Sequence, residues 1–280
     1  MNVLSLFDGL SCGQIALNNL GIPVDKYYAS EIKSHAIDAT QYNFPNTIQL
    51  GDVRFLKSEI LEELDIDLLL GGSPCQDLSI IKQNRKGLEG DKSALFWEYV
   101  RILKSLKPKY FLLENVASMK NIDKEIITNA LGVEPILINS SVVSAQHRRR
   151  LYWTNIPING ELVDKNVLLD DIVDRDEPPQ ENMSDKKRAF IDRKRGGTMY
   201  VRVDGDKSMP ITARGYAAWN TQFITMSNGI IRDLTLAEYQ ELQTIPPDYH
   251  FPCIKSKATD LIGDGWTVDV IAHILEGMLK

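Results

Sequence analysis

Short apolar runs, separated by glycine or acidic residues, recur along the first half of the chain. The runs of strand length are 2–7, 26–31, 47–52, 64–70 and 109–115. Between them, residues 15–20 and 94–107 place apolar side chains at helical spacing. This alternation of strand, loop and helix predicts an α/β fold with a parallel sheet. In such sheets the carboxyl ends of the strands carry the chemistry, so the residues that follow each run are the candidates for a site.

The strand pattern continues to residue 156, where the sheet is expected to end. Residues 134–143 and 149–156 are apolar runs joined by the short basic connection SAQHRRR, which predicts an antiparallel hairpin. If residues 148–150 lie on a strand, Arg148 and Arg150 share one of its faces. We expect this pair to contact an anion or a carbonyl group.

The pattern changes between residues 158 and 231. Periodicity weakens, short segments are punctuated by glycine and asparagine, and 186–195 is strongly basic. We therefore expect a small, irregular, β-rich insert that carries positive charge. After it, Thr235 and Glu238 have the spacing of a helix capping box, and the chain ends in an amphipathic helix. The predicted regions are 1–157, 158–231 and 232–280.

Composition narrows the class of protein. The chain has 280 residues, 43% hydrophobic and 25% charged, which is ordinary for a globular protein. Its three cysteines are far apart and odd in number, so we expect a reducing, cytoplasmic setting without a disulfide framework. The four histidines stand singly, which argues against a metal site. No apolar run approaches the ~20 residues of a membrane span, and the N-terminal residues lack the features of a signal peptide.

Cys75 is the first candidate for chemistry. It follows the run 64–70 after two glycines and stands directly behind Pro74, which fixes the backbone before the thiol. A cysteine held at the end of a buried strand can act as a nucleophile, although a small buried hydrophobe is the ordinary alternative. The polar connection 76–94 that follows is long for a compact domain and predicts a lid or a disordered segment.

Acidic residues occur repeatedly at the same predicted edge of the sheet. Glu31 and Asp52 end their strands, and Glu31 lies about 20 residues beyond the glycine-rich turn 8–13, where nucleotide-binding folds place an acid against ribose. Asp8 in that turn suits a positively charged group, such as an amino-acid ammonium. Glu114 ends the fifth strand and is the second candidate catalytic group. Acids at the ends of three successive strands favour an adenosine-type ligand. The turn lacks the G-x-G-x-x-G spacing, so a pyrophosphate-binding loop is not indicated.

These motifs resemble those of the DNA cytosine-5 methyltransferase family. SLFDGLSCG resembles its cofactor loop, GGSPCQDLS its nucleophile loop, LLENV its glutamate motif and SAQHRRRLYW its Q-x-R-x-R motif. RDLTLAEYQELQTIP and IGDGWTVDVI resemble the segments after its target-recognition region. The residues of these motifs are most similar to those of the family's de novo branch. Asp264-Gly265-Trp266 departs from that branch, which has Arg-Ser-Trp. The resemblance implies a doubly wound, mostly parallel, Rossmann-like sheet of the class I methyltransferases, in a small single-chain enzyme of bacterial or phage type.

The resemblance also implies a reaction. A methyl group would pass from S-adenosylmethionine to C5 of a cytosine flipped out of double-stranded DNA, leaving S-adenosylhomocysteine. Cys75 would add to C6, Glu114 would hold N3 and the amino group, and Arg150 with Arg148 would fix the base carbonyl. The residues implied in cofactor binding are Phe7, Asp8, Gly9, Leu10, Ser11, Glu31, Ile32, Asp52, Val53, Leu95, Gly265 and Trp266.

DNA contacts are expected from basic segments on both sides of the glutamate motif. The residues implied are Ser79, Lys82, Arg85, Lys86, Lys194, Arg195, Arg202 and Arg214. We expect 186–195 to contact phosphates, and Arg202 and Arg214 to read bases from the short β segments. The formal net charge of −6 argues mildly against nucleic acid, so this local charge carries the prediction. A recognition region of ~70 residues predicts a site of about two to four base pairs.

Other functions fit parts of the sequence. An RNA cytosine-5 methyltransferase of the tRNA-acting kind shares the implied fold, and a catalytically inactive DNA-binding subunit would keep the fold without the chemistry. The presence of both Cys75 and Glu114 argues against the inactive subunit. A NAD-dependent oxidoreductase is disfavoured because the first turn lacks G-x-G-x-x-G. A cognate restriction endonuclease is a partner that the resemblance allows, and the sequence does not determine the oligomeric state.

Overall fold

The computed structural model describes residues 1–57, 59, 61, 63–74, 95–176, 183–194, 202–213 and 222–279. The chain forms two compact units. Unit 1 comprises Met1–Ile138, Arg149–Gly160 and Ile271–Lys280, and unit 2 comprises Asn139–Arg148 and Glu161–Val270. The predicted functional regions 1–157, 158–231 and 232–280 divide the chain differently and stay a prediction. Within the described ranges, no helix has the length and apolar character needed to cross a membrane.

One large sheet contains seven of the strands in the described residues. They are β1 (Asn2–Leu6), β2 (Lys26–Ser30), β3 (Ile48–Gln49), β4 (Leu68–Gly71), β5 (Tyr110–Val116), β6 (Ile136–Asn139) and β7 (Arg149–Thr154). Their order in the sheet is β3-β2-β1-β4-β5-β7-β6. The pairs from β3 to β5 are parallel, and β7 is antiparallel to β5. The doubly wound, mostly parallel sheet is thereby confirmed, and the strand order reverses between β1 and β4, where such sheets bind ligands.

Helices connect these strands and continue into unit 2. The helices in the described residues are α1 (Cys12–Asn19), α2 (Ser34–Asn43), α3 (Phe96–Leu106), α4 (Asn121–Leu131), α5 (Asp185–Lys194), α6 (Leu236–Leu242), α7 (Lys255–Asp264) and α8 (Val268–Leu275). Helix α5 covers most of the basic segment, and the prediction of a small, irregular β-rich insert did not include this helix. Its sequence, DKKRAFIDRK, contains neither glycine nor proline, and alanine, lysine and arginine favour a helix.

The core of unit 1 explains why its central strands read as continuous apolar runs. Leu68, Leu69 and Leu70 of β4 are each 0% exposed, as expected for a parallel strand covered on both faces. Gly71 ends this strand, and a Cβ there would lie 2.7 Å from the ring of Tyr99 on α3. Glycine therefore lets the helix pack directly against the strand end that leads to Cys75.

Unit 2 contains a small sheet of its own. Among the described residues, β8 (Arg202–Val203), β9 (Gln222–Thr225) and β10 (Ile231–Asp233) pair in the order β10-β9-β8. Ile191 of α5 and Phe223 of β9 form its buried cluster, at 1% and 0% exposure. The expected β-rich insert is present.

The predicted capping box at the start of α6 is confirmed. The Thr235 hydroxyl accepts from the Glu238 backbone N–H at 3.2 Å, and the Glu238 carboxylate accepts from the Thr235 N–H at 2.7 Å. Glu238 also pairs with Arg232 at 2.7 Å, and both side chains are almost fully buried. The cap therefore also neutralises a buried guanidinium, which the sequence pattern does not show.

Gly277 allows the C-terminal turn Glu276–Leu279 to approach the backbone after β7. A Cβ at Gly277 would overlap the carbonyl oxygen of Pro157 and lie 2.9 Å from Ile156 Cγ2. Because backbone cannot move cheaply, we expect Gly277→Ala to lower the free energy of unfolding by about 2–4 kcal/mol. Urea unfolding measures the change, with the exposed neighbour Glu276→Ala as control. Equal unfolding midpoints for the two variants would contradict this packing.

Candidate active site

Four neighbouring strands bring the candidate residues to one edge of the sheet. The last residues aligned across β2, β1, β4 and β5 are Ser30, Leu6, Gly71 and Leu113. The residues that follow them are Glu31, Phe7, Gly72 and Glu114. Register alone therefore places both predicted acids, the first loop and the approach to Cys75 side by side, at the carboxyl ends of the parallel strands.

The loop after β1 has an unusual backbone. Phe7 and Ser11 have φ angles of 59° and 58°, in the left-handed region that side-chain-bearing residues rarely adopt. The Phe7 N–H donates to the Ser30 carbonyl oxygen at 2.8 Å, and the Gly9 N–H donates to Glu31 Oε2 at 2.9 Å. The loop is therefore tied to the end of β2. The predicted cofactor residue Leu10 is 0% exposed, and its contact with a ligand stays a prediction.

Glu31 connects two loops at this edge. Its Oε1 accepts from the backbone N–H groups of Ile32 at 2.7 Å and Lys33 at 2.9 Å, while Oε2 binds Gly9. These bonds fix the orientation of the carboxylate. The neighbouring Ile32 side chain is 67% exposed, as an apolar residue available to a ligand would be.

Asp52 has a partner within its own turn. Strand β3 ends at Gln49, earlier than the predicted run 47–52, and Asp52 begins a short 3-10 turn. Its carboxylate accepts from the Arg54 backbone N–H at 3.0 Å and from the Arg54 guanidinium at 2.5 Å. The guanidinium hydrogen bond lowers the pKa of Asp52. A ligand amino group would share this carboxylate with Arg54.

The remaining predicted cofactor residues belong to different units of the chain. Val53 is 4% exposed and belongs to the core of unit 1, and Leu95 packs against that core at the start of α3. Gly265 and Trp266 lie in unit 2, immediately after α7. Their contact with a cofactor stays a prediction.

Glu114 and Arg150 form an ion pair on neighbouring strands. Glu114 on β5 is aligned with Tyr152, two residues from Arg150 on β7, so the two side chains share a face of the sheet. Arg150 Nε lies 2.8 Å from Glu114 Oε1, and their side chains are only 16% and 11% exposed. This brings together two of the four predicted catalytic residues.

Arg148 differs from its predicted placement. Strand β7 begins at Arg149, so the interpretation of Arg148 and Arg150 as a pair on one strand face is wrong. The Arg148 guanidinium, 3% exposed, instead donates to the carbonyl oxygens of Ile211 at 2.8 Å, Gly263 at 3.0 Å and Gly265 at 2.8 Å, all within unit 2. Saturating buried carbonyl groups explains why an arginine is tolerated there. A contact of Arg148 with the base stays a prediction.

Two hydrogen-bonded features, one in each unit, carry no signal in the sequence. Asn115, next to Glu114, donates from Nδ2 to both the carbonyl and the hydroxyl oxygen of Ser73 at 3.1 Å. It therefore holds the backbone two residues before Cys75. Cys75 itself lies outside the described residues.

A buried glutamine pair in unit 2 is the second missed feature. Gln146 donates to Leu242 O at 2.9 Å and to Gln243 Oε1 at 3.3 Å, and Thr267 donates to the same Gln243 oxygen at 2.7 Å. Gln243 in turn donates to the Gly265 carbonyl at 3.1 Å. The motif SAQHR thus supports the turn that carries Trp266. Isolated glutamines more often lie at the surface, so the sequence offers no signal for this cluster.

The expected DNA contacts fall mainly outside the described structure. Ser79, Lys82, Arg85, Lys86, Arg195 and Arg214 lie outside the described residues, and Lys194 ends α5. Arg202 on β8 is exposed and donates to the Lys207 carbonyl at 3.1 Å. Lys187, within the expected phosphate-binding segment, pairs with Asp233 at 2.7 Å and is only 12% exposed. Lys187 therefore serves the packing of unit 2.

Comparison with known proteins adds to this geometry. The family model "C-5 cytosine-specific DNA methylase" matches residues 1–156 and 159–280. Among curated relatives, "Type II methyltransferase M.Bsp6I" of Bacillus sp. (strain RFL6) is 28% identical over 320 aligned positions, covering 100% of this chain and 99% of the relative. "Orphan methyltransferase M.SPRI" of Bacillus phage SPR is 35% identical over 168 positions, which cover 56% of this chain. The chain spans only 38% of the length of that phage protein.

Solved structures show the same fold. A DNMT2 mutant of Spodoptera frugiperda superimposes with a TM-score of 0.75 at 18% identity, over 100% of this chain and 99% of the other. Entamoeba histolytica methyltransferase EhMeth gives a TM-score of 0.77 at 17% identity, over 100% and 98%. The likeness to solved structures concerns fold, whereas the family model matches nearly every residue of the chain. The chain belongs to the C-5 cytosine-specific DNA methylase family.

Proposed function

We propose that this chain transfers a methyl group from S-adenosylmethionine to C5 of a cytosine in double-stranded DNA, with Cys75 as the nucleophile. The main support is the Glu114–Arg150 ion pair, on the sheet edge that also carries the 7–11 loop and Glu31. Family membership supports the same reaction, and M.Bsp6I, aligned over its full length, bears the name of a type II methyltransferase.

The residues at this edge meet the needs of cytosine activation. Attack of the Cys75 thiolate on C6 forms a carbon–sulfur bond and moves the C5–C6 π electrons towards C5. Glu114 can hold N3 and the exocyclic amino group, which anchors the base where the ring charge changes. Arg150 fixes the Glu114 carboxylate through Nε and donates from Nη1 to the Arg149 carbonyl oxygen at 2.9 Å. A guanidinium has five N–H groups, so others can serve the base carbonyl. Loss of the C5 proton and cleavage of the C6–sulfur bond then restore the aromatic ring and the free thiol.

The acid-lined edge also fits S-adenosylmethionine. When bound, this cofactor supplies an electrophilic methyl group on a sulfonium centre. Glu31 is oriented by Gly9, Ile32 and Lys33 and is suited to accept from ribose hydroxyls. Asp52 can accept from the adenine amino group, and the backbone of residues 7–11 can meet the amino-acid end. Several carboxylates near one another are compatible with a ligand that carries positive charge.

Substitution of the two cofactor acids tests this assignment. We expect Glu31→Ala to weaken S-adenosylhomocysteine binding by roughly 10–100-fold, since it loses both a ligand acceptor and the Gly9 tie. Asp52→Ala should weaken S-adenosylhomocysteine binding only roughly fivefold, because Arg54 already shares that carboxylate. Calorimetric titration measures both, with Asp38→Ala on the exposed side of α2 as control. Unchanged affinity in both variants would refute the binding edge.

The reaction itself is tested by sequencing nucleic acids from cells that express the chain. The expected result is 5-methylcytosine at a short, recurrent DNA site, and none with Cys75→Ala. We propose a site of about two to four base pairs, contacted by Arg202 and the basic residues around α5. Methylation confined to RNA would contradict DNA as the substrate. A recognised site of six base pairs would contradict the prediction that this small region specifies only a short site.

A further inference from the structure

The strained loop 7–11 is held by side chains that no assigned role explains. Non-glycine residues persist in the left-handed region only where their surroundings over-determine them. Phe7 and Ser11 both lie in that region, within five residues of each other. The hydrogen bonds around the loop therefore identify the groups that maintain its shape.

The Asp8 carboxyl is the centre of these hydrogen bonds. Tyr27 on β2 donates to Oδ1 at 2.9 Å, and the Ser11 hydroxyl donates to Oδ2. Thr40 on α2 lies 3.1 Å from the Ser11 hydroxyl and 3.5 Å from the Gly9 carbonyl oxygen. Tyr27, Ser11 and Thr40 are 3%, 0% and 1% exposed. The loop is thus fastened from β2 and from α2 by buried hydroxyl groups.

We propose that Tyr27 is a positioning residue for S-adenosylmethionine: its hydroxyl holds the Asp8 carboxyl within the loop and so keeps residues 7–11 in the binding conformation. This inference rests on the proposed function, because Tyr27 acts on the cofactor only through the loop. It also changes the role expected for Asp8, which the sequence predicts to be a partner of an ammonium group. Both Asp8 oxygens already accept from side chains, so the carboxyl shapes the loop and is not simply an open partner for an ammonium group.

The charge of Asp8 links this network to pH. Burial raises the pKa of Asp8 to about 6, and the Glu31 carboxylate acts in the same direction. Hydrogen bonds from Ser11, Ser5 and Tyr27 oppose the rise, because they favour the charged carboxylate. Removing the Tyr27 hydroxyl takes away one of these bonds, so the pKa of Asp8 should rise further in Tyr27→Phe.

Tyr27 remains a hydrogen-bond donor throughout this range. Burial, together with the nearby Asp8 and Cys12 groups, raises the pKa of Tyr27 well above its ordinary value. The titration near pH 6 therefore belongs to Asp8, with Glu31, Tyr27 and Cys12 as the ionisable groups that face this pair.

Stability of the protein without cofactor gives one readout. Asp8 titrates near pH 4 in an unfolded chain and at about 6 in the folded one. Between these values the folded state binds more protons, so the free energy of unfolding should fall as the pH rises from about 4 to about 6, and then level off. In Tyr27→Phe the free energy of unfolding should continue to fall above pH 6. In Asp8→Asn this fall between about pH 4 and 6 should be absent.

Binding of S-adenosylhomocysteine gives the second readout, measured by calorimetry from about pH 5 to 8. At pH 8 we expect Tyr27→Phe to bind roughly tenfold more weakly, because the charged carboxylate has lost a donor. The difference should narrow at pH 5, where Asp8 is protonated in both proteins. In turnover assays KM for S-adenosylmethionine should rise while kcat stays unchanged. Tyr28→Phe, next along β2 and packed in the core, is the matched control with wild-type affinity.

Each outcome decides the proposal. Wild-type affinity of Tyr27→Phe at every pH would overturn it, and so would an equal loss at every pH, which is what a general packing defect produces. If Tyr27→Phe does not fold, Asp8→Asn is used in its place. A free energy of unfolding that still falls between about pH 4 and 6 in Asp8→Asn would contradict the proposed role of the hydrogen bonds to Asp8. Failure of the wild-type protein to bind S-adenosylhomocysteine at any pH would contradict the proposed function itself.

Discussion

Replacing Cys75 by alanine is expected to reduce methyl transfer by at least a thousandfold while leaving cofactor binding intact. Without the sulfur, no bond forms at C6 and C5 stays too electron-poor to take a methyl group. Asn115 holds Ser73, which precedes Cys75 by two positions in the sequence. Incorporation of tritiated methyl groups into DNA measures the loss, and calorimetry with S-adenosylhomocysteine checks that the cofactor edge is unaltered.

A DNA duplex with 5-fluorocytosine at the target separates chemistry from binding. Fluorine at C5 cannot leave as a proton does, so the wild-type protein should remain covalently attached and migrate with the DNA on a denaturing gel. Cys75→Ala should give no such band. Cys253→Ala, a partly exposed cysteine in unit 2 that is not disulfide-bonded, is the control and should keep the band. More than a few per cent of wild-type transfer by Cys75→Ala would remove Cys75 from the mechanism.

The sheet and its edge were predictable because their cause is local. Runs such as LLLG are apolar since both faces of β4 are covered, and their ends coincide with glycine or acids. Parallel pairing then aligns the strand ends, so Glu31 and Glu114 reach one edge without any further information. Helix α4 shows the limit of such patterns. Two of its isoleucines, Ile122 and Ile126, are exposed, at 62% and 36%, so its apolar spacing does not trace the buried face alone.

What the sequence could not supply is the choice of partner for each polar side chain. Arg148 and Arg150 stand two residues apart in one motif, yet Arg150 pairs with Glu114 and Arg148 binds carbonyl groups distant in sequence. Asp52 looked like an open ligand acid, but Arg54 shares it. Such pairings depend on contacts between segments far apart along the chain, which neither periodicity nor motif spacing encodes.

Glu114→Gln is expected to lower the rate of methyl transfer by roughly 10²–10⁴-fold, the range for loss of a positioned acid–base group. Glutamine keeps the shape of glutamate but removes its charge and one acceptor. It also deprives the mostly buried Arg150 of its counter-ion, and a partly desolvated guanidinium without a carboxylate is costly. The substitution therefore disturbs both groups proposed to hold the base, whereas Glu31 and the 7–11 loop should be unaffected.

Single-turnover kinetics with saturating DNA and cofactor measure the chemical step in Glu114→Gln. Glu98→Gln is the matched control, since Glu98 on α3 forms its own ion pair with Arg101 at 2.8 Å but is more exposed than Glu114 and lies on a helix outside the sheet. That variant should transfer methyl groups at the wild-type rate. If Glu114→Gln loses activity only through weaker binding of S-adenosylhomocysteine, or no more than Glu98→Gln does, the ion pair on β5 and β7 has a structural role and the base must be held elsewhere.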